Sequence, residues 1–323
     1  MANFKVKNGL QAGRYLGSGG TETAGSESLP IGSAIFSGFF DPTGNSTTHV
    51  FFKPDGTVGY FLISSVIYQH TLSTAWDITT AVYASKSYDV SGQDSYPFSL
   101  WIDPTGTHLY VNGGASDTVY QYSMSTAWDI STASYSSKSI FVQSQDTENR
   151  AIFFKPDRSK FFMAGGATQS VYAYTMSTAG DLSTASYDSV SFSAIGQQGD
   201  VSGLAFSLDG TKMLICGRSP EGVHEYNLST AYDLSTASYS SAFLDTTANV
   251  TTPYGFYYED TVYKVYVTDE SNVGGVYQYS TVSLTQTLDL STGTYFSFTP
   301  SGATIVSFTN APASGIAIGF SVE

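Results

Sequence analysis

The sequence predicts an all-β protein, a five-bladed β-propeller, and three observations carry the prediction. A nine-residue phrase, STAWDISTA from Ser125 to Ala133, recurs as STAWDITTA from Ser73, STAGDLSTA from Ser177 and STAYDLSTA from Ser229. Successive starts lie 52 residues apart, and a degraded copy begins at Ser280-Thr281-Val282. A fixed period of this size marks a solenoid, a propeller or an array. Between the phrases, apolar and polar residues alternate with a period of two, and no helical period is sustained. Each repeat also holds enough turn signals to divide it into four short strands, the content of a propeller blade.

The second repeat serves as the template. Phe98-Ser99-Leu100-Trp101-Ile102 is a run of β-formers ended by Asp103-Pro104-Thr105-Gly106, where Pro and Gly set a turn. A second strand resumes at residues 108–112, and a Gly-rich loop at 113–117 leads to a third. In that third strand Tyr120, Tyr122 and Met124 alternate with Val119, Gln121 and Ser123. The phrase follows, its Ser, Thr and Asp side chains suited to bonding nearby backbone N–H groups in tight turns. A fourth strand near residues 134–142 completes the blade.

The other repeats align on this pattern. Their first turns read Lys53-Pro54-Asp55-Gly56, Lys155-Pro156-Asp157-Arg158 and Ser207-Leu208-Asp209-Gly210, shrinking to Glu259-Asp260 in the last. The fifth unit lacks an obvious outer strand. Residues 34–40 supply one from the N-terminal side, and pairing them with the fifth blade would close the ring and remove its sheet edges. Because Leu288-Asp289-Leu290-Ser291-Thr292-Gly293 echoes the phrase, residues 295–298 compete for that place, and an open or differently closed array is the alternative. The expected division is an arm and linker over 1–32, the propeller over 33–283 and a small C-terminal β-module over 284–323. Within that module, 295–298 and 304–308 are expected to form two strands about a turn at Pro300-Ser301-Gly302.

Composition narrows the function. The 323 residues carry a net charge of −14, without the basic footprint that nucleic-acid binding requires. One cysteine, Cys216, excludes an internal disulfide, and no run is long and apolar enough for a membrane span or a signal peptide. Aromatic residues make up 15%, led by 24 Tyr, which suits contacts through rings and hydroxyls.

The arm contains Phe4, Val6, Leu10, Tyr15 and Leu16, apolar side chains with nothing local to cover them, beside Lys5, Lys7 and Arg14. A Gly/Ser/Thr tract from 17 to 27 follows, so the segment reads either as a frayed end or as a docking arm, with Phe4, Val6, Leu10, Arg14 and Tyr15 as contacts. The opening FKVKNGLQAGRYLGS resembles the N-terminal segment of tail-fibre-like virion proteins of bacteriophages, marine ones especially. The STAWDxSTA repeats look like the β-propeller proteins that such phages encode. The ending QTLDLSTGTYFSFTPSGATIVSFTNAPASGIAIGFSVE is similar to a C-terminal β-module of phage fibre proteins. The resemblance implies location in a virion, as fibre or as head or tail decoration, with host attachment as the task. It implies other virion proteins as partners through the arm, a host glycan or receptor at the propeller, and assembly with copies of itself as a further option. It brings no catalytic residues.

Candidate chemistry is sparse. The phrase aspartates Asp77, Asp129, Asp181 and Asp233 recur with the repeat, as do Asp55, Asp157 and Asp209 in the turns, and recurrence points to capping. Glu148 and Glu221 break the pattern but have no partner visible in sequence. His49, His70, His108 and His224 share no metal-ligand spacing, and no phosphate loop, nucleophile elbow or cysteine cluster occurs. No enzyme, cofactor or metal is therefore expected. Asp41, Asp94, Asp146, Asp200 and Asp245 each precede the next inner strand. With Arg218 they mark a ligand face for a cation or sugar hydroxyls, or else they fasten loops to the neighbouring blade. That face also carries the loops that vary between repeats, where binding usually resides on a rigid scaffold. A soluble lectin holding a sugar in each blade is the competing reading.

Overall fold

The computed structural model describes residues 31–42, 46–271, 274–280, 284–289 and 304–309. The chain divides into two units, Leu29–Val282 and the terminal segments Met1–Ser28 with Ser283–Glu323. The larger unit opens with β1 (Ile35–Phe40). Blade one is β2 (Thr47–Phe52), β3 (Val58–Ile63), β4 (Val66–Leu72) and β5 (Ala81–Asp89). Blade two is β6 (Pro97–Ile102), β7 (His108–Gly113), β8 (Thr118–Met124) and β9 (Ala133–Phe141). Blade three is β10 (Asn149–Phe154), β11 (Lys160–Gly165), β12 (Ser170–Met176) and β13 (Ala185–Ser193). Blade four is β14 (Val201–Phe206), β15 (Lys212–Arg218), β16 (Glu221–Leu228) and β17 (Ala237–Asp245). Blade five has β18 (Pro253–Glu259), β19 (Lys264–Asp269) and β20 (Gly275–Ser280), and β1 is its outer strand, in the order β1-β20-β19-β18.

Each inner strand touches the next, β2 to β6, β10, β14 and β18, and β18 returns to β2. The fold is a closed five-bladed β-propeller. Burial follows from position. All six residues of β2, β6 and β14 are buried because neighbouring blades cover both faces, whereas β9 alternates half-buried and exposed at the rim. Among the described residues no helix is long and apolar enough to cross a membrane.

The aspartate of the phrase and the two hydroxyl residues near its end have structural tasks. In the second copy Asp129 caps a single 3-10 turn, accepting from the backbone N–H and hydroxyl of Ser131, while Thr132 Oγ1 accepts from Thr126 N–H. Asp77, Asp181 and Asp233 do the same in their copies. The fourth position of the phrase takes a left-handed backbone, with φ of 63° at Trp76 and Trp128. Each indole lies over the glycine that ends the first turn, Gly56 or Gly106, where a Cβ would stand 2.4 Å from the ring. Blade three exchanges the two roles: Gly180 takes the phrase position, and Arg158 in the turn lies over it and bonds Asp103 of blade two.

The phrase also latches neighbouring blades. Between blades one and two, Tyr60 Oη donates to Trp128 O, Gln69 Oε1 accepts from Ile130 N–H, and Lys86 pairs with Asp129. Tyr110, Gln121 and Lys138 repeat this between blades two and three. Tyr266 and Gln278 repeat it between blades five and one, where Lys264 bonds Trp76 O instead. Between blades four and five, Glu225 accepts from Ile31 N–H of a 3-10 turn at Ile31–Ser33. Ile31 is buried, so the boundary expected after residue 32 falls inside a turn that belongs to the propeller.

In the smaller unit β21 (Leu284–Asp289) pairs with β22 (Thr304–Thr309), and the pairing is parallel. The hairpin expected about 300–302 is thus corrected for its second strand, while 295–298 lies outside the described residues.

Buried histidines make the ring acid-sensitive. His49 on β2 is enclosed beside the backbone of Phe256, and burial lowers its pKa to about 3. His70 and His224 are lowered to about 4 by burial too. The unfolded chain therefore takes up these protons first, near the ordinary value of 6.5. Stability is full above that pH and falls as pH drops from 6.5 toward 3, by about 1.4 kcal/mol per unit for His49. Melting temperatures should decline from pH 7 to pH 4, and His49→Ser should flatten the slope. An identical slope in the variant would assign the decline elsewhere.

Candidate functional site at the loop face

The loops from second to third strand and the connections entering each inner strand crowd one face of the ring. Asp94 ties one such pair together, accepting from the N–H groups of Tyr96, Ala115 and Ser116 and from the Ser116 hydroxyl. Asp146 does the same with Glu148, Ala167 and Thr168. Gly113 and Gly165 are needed there, because a Cβ would meet the carboxylate at 2.4 Å or closer. In blade four Gln198 holds the equivalent position, accepting from Ser219 N–H and donating to Pro220 O. In blade five Asp269 fastens the connection from the opposite side, through Thr251, Thr252 and Ser271.

The five aspartates expected to share a ligand face therefore do not form a ring. Asp94 and Asp146 are equivalent and occupied with loop fastening. Asp200 stands two residues further along its connection, where it pairs with Arg218 at 2.8 Å. Asp245 ends the outer strand β17 and caps Thr247, and Asp41 follows the outer strand β1. Matching by residue type had merged three different positions. The arm residues Phe4, Val6, Leu10, Arg14 and Tyr15 lie outside the described residues.

What converges instead is a mouth of aromatic, arginine and carboxylate side chains from four blades. Arg150, near the start of β10, lies over the Phe98 ring at 4.8 Å and the Tyr254 ring at 5.7 Å. Its fork bonds Glu148 at 2.7 Å and the Tyr254 hydroxyl at 3.2 Å. Arg218 also lies over the Tyr254 ring, at 5.5 Å, and faces Glu270 at 3.6 Å as well as Asp200. Tyr96 donates to Glu270 at 3.0 Å and packs its ring edge-on against Phe98. Burial disfavours the Arg150 charge, but the bonded Glu148, with Tyr254 and Asp200, more than offsets this and raises its pKa. Burial likewise raises the Tyr254 hydroxyl, with Tyr96 adding to the shift.

Both guanidinium groups are thus paired with protein carboxylates, while the buried Arg150 Nε has no hydrogen-bond partner. The side chains of Glu148, Asp200 and Glu270 stay partly exposed, and Tyr96 is 47% exposed. A ligand at this mouth meets an aromatic ring and hydrogen-bond acceptors, so it must bring donors and an apolar face. Among the described residues no group of three His, Cys, Asp or Glu side chains is placed to hold a metal ion.

No family model and no curated protein matches the chain. Solved structures do. A protein of Bacteroides uniformis provisionally named a 6-phosphogluconolactonase shares 11% identity over 67% of this chain and 61% of its own, with a TM-score of 0.44. A Lactobacillus plantarum protein shares 15% identity over 69% of this chain and 64% of its own, at 0.44. The Cps50 (Swd1) β-propeller domain of Myceliophthora thermophila shares 8% over 77% of this chain and all of its own, at 0.45. The chain spans less than two thirds of the length of the first two.

Of the mouth, the sequence reading had singled out Asp200 and Arg218 for the ligand face and noted Glu148 without a partner. Glu270 lies in one of the variable loops expected on that face, whereas Tyr96, Phe98, Arg150 and Tyr254 escaped it. A signal for them exists: the start of each inner strand reads Tyr96-Pro97-Phe98, Glu148-Asn149-Arg150, Asp200-Val201-Ser202 and Thr252-Pro253-Tyr254, divergent where the phrase stays constant.

Proposed function

We propose that the chain is a structural protein of a bacteriophage particle, a fibre or decoration component, whose propeller holds a host-surface glycan at the loop-face mouth. The observation that carries the binding half is the committed state of Arg150 and Arg218, which leaves carboxylate acceptors around the exposed Tyr96 ring. A sugar matches that chemistry, with hydroxyls to donate and an apolar C–H face to lie on an aromatic ring. The particle half rests on the resemblance of FKVKNGLQAGRYLGS and of the C-terminal module to phage fibre proteins. In this reading Phe4, Val6, Leu10 and Tyr15 bury against another virion protein, and Lys5, Lys7 and Arg14 steer them to an acidic recess.

Two measurements test the halves separately. Protein lacking residues 1–16 should fold and melt normally yet be absent from purified particles; incorporation at the wild-type level would reduce the arm to a frayed end. On a glycan array the intact chain should bind, and Tyr96→Ala should weaken that binding roughly tenfold, the worth of one aromatic contact, with melting unchanged. Full binding by the variant would remove the mouth from the reading. The same mouth supports a soluble lectin as the second reading, and that one leads if glycans bind while the arm proves dispensable.

A further inference from the structure

One of the five free sheet edges is built unlike the other four. The outer strands β5, β9, β13 and β17 each contain a serine held in the left-handed region, Ser85, Ser137, Ser189 and Ser241, with φ of 58°, 56°, 59° and 67°. Each also carries a charged residue, Lys86, Lys138, Asp188 and Asp245 in turn. Bulges and charges on an edge strand hinder its pairing with another chain. The outer strand of blade five, β1, reads IFSGFF: it has no charge, and none of its residues takes a positive φ. Its register slips at Ser37, but that hydroxyl turns back onto β20, to Gln278 O and Ser280 Oγ.

The side chains of β1 depart from the repeat in the same direction. Opposite Tyr68, Tyr120 and Tyr172 the first three blades place Ser87, Ser139 and Ser191, whereas opposite Tyr277 stands Phe39. Where those blades set Tyr83, Tyr135 and Tyr187, blade five has Phe36, opposite Tyr279. The two rings pack on Tyr279 at 6.1 Å and on Tyr277 at 4.8 Å, yet remain 45% and 38% exposed, and Ile35 is 40% exposed. Charge near this patch has one sign. Asp41 follows β1, Asp269 ends β19 at the same end of the sheet, and β1, β17 and β20 contain no Lys or Arg. Burial raises the Tyr277 hydroxyl, and the charges of Asp269 and Asp41 add to the shift.

We propose that β1 is a docking edge for a partner strand whose residues alternate apolar and basic. The partner backbone pairs with the outward N–H and C=O groups of β1 and extends blade five to a fifth strand. Its apolar side chains lie on Phe36 and Phe39, and its basic residues are drawn to the Asp41 end. Strand addition takes its affinity from main-chain bonds and its selectivity from alternate side chains. This edge lies on the rim of blade five, so its occupation is independent of a glycan at the loop-face mouth.

The test uses the full chain and a synthetic hexapeptide, the acetylated amide VKFKVK, with VEFEVE as its acidic counterpart. Hydrogen exchange read by NMR should show saturable protection of the outward β1 amides by VKFKVK, with β5, β9, β13 and β17 unchanged. VEFEVE should bind at least about tenfold more weakly, because its carboxylates meet those of Asp41 and Asp269. Phe39→Ser installs the residue of blades one to three, so it should melt near wild type and weaken VKFKVK roughly tenfold. Ile35→Lys gives β1 a charge and should weaken the peptide likewise. Three outcomes overturn the proposal: no saturable protection of β1, equal affinity for the two peptides, or equal protection of all five outer strands. A dimer of the free protein with its β1 amides already protected also overturns it, since the edge then belongs to a second copy. Should Phe39→Ser fail to fold, Ile35→Lys decides.

Discussion

Replacing Trp76 by alanine is expected to lower the unfolding free energy by about 3–5 kcal/mol, the usual range for a buried large aromatic. The side chain is 7% exposed. Its ring packs on Phe52 at 5.8 Å and stacks near Tyr257 of blade five at 6.5 Å, and covers Gly56. The carbonyl of the same residue accepts from Tyr266 and Lys264 across the seam that joins the last blade to the first. Loss of the ring therefore empties a contact between blades, and leaves the turn around Gly56 without its cover. In a chain of this size each kcal/mol moves the melting temperature by about 2–4 °C, so a drop near 10 °C is expected. Trp76→Gly should cost somewhat less than alanine, because glycine accepts the 63° φ without strain. A fall of under about 1 kcal/mol in chemical denaturation would mean that the indole is a dispensable surface cover.

The covariation of Trp76 with Gly56 shows what sequence reading reaches and where it stops. The phrase repeats, so its spacing, its capping aspartates and the four-strand unit are all visible without coordinates. The exchange of Arg158 and Gly180 is visible too, once the turn glycine and the fourth phrase position are known to touch. The mouth is different in kind. Tyr96, Arg150, Arg218 and Tyr254 come from four blades, each pair separated by 36 residues or more, and no two of these blades use the same residue at the same position. Their meeting is a product of ring closure, which no local pattern encodes. The aspartates misled because blade five moves the fastening carboxylate from the connection to Asp269, and blade four replaces it with Gln198. The function of the position persisted while the residue type did not.

Removal of residues 1–41 should cost more than any point substitution, because it opens the ring. β1 is the outer strand of blade five, running antiparallel to β20 with Phe40 opposite Val276 and Ile35 opposite Ser280. It also seals two seams. Phe40 packs on Phe61 and His70 of blade one, while Ile31 in the turn before it is buried and bonds Glu225 of blade four. Without the strand, β20 becomes an exposed edge with unpaired N–H and C=O groups beside Tyr277 and Tyr279, which is a template for aggregation. Protein lacking residues 1–30 keeps all of these contacts and should stay monodisperse with an unchanged melt. Protein lacking 1–41 should elute as aggregate or in higher oligomers and lose its cooperative transition. A peptide spanning 31–42, added in trans during refolding, should recover the monomer, since strand pairing and the Ile31 contact need no covalent link to the arm. Equal solubility and equal melting of the two truncations would show that the fifth blade stands on three strands, and that closure by the N-terminal strand contributes little to the ring.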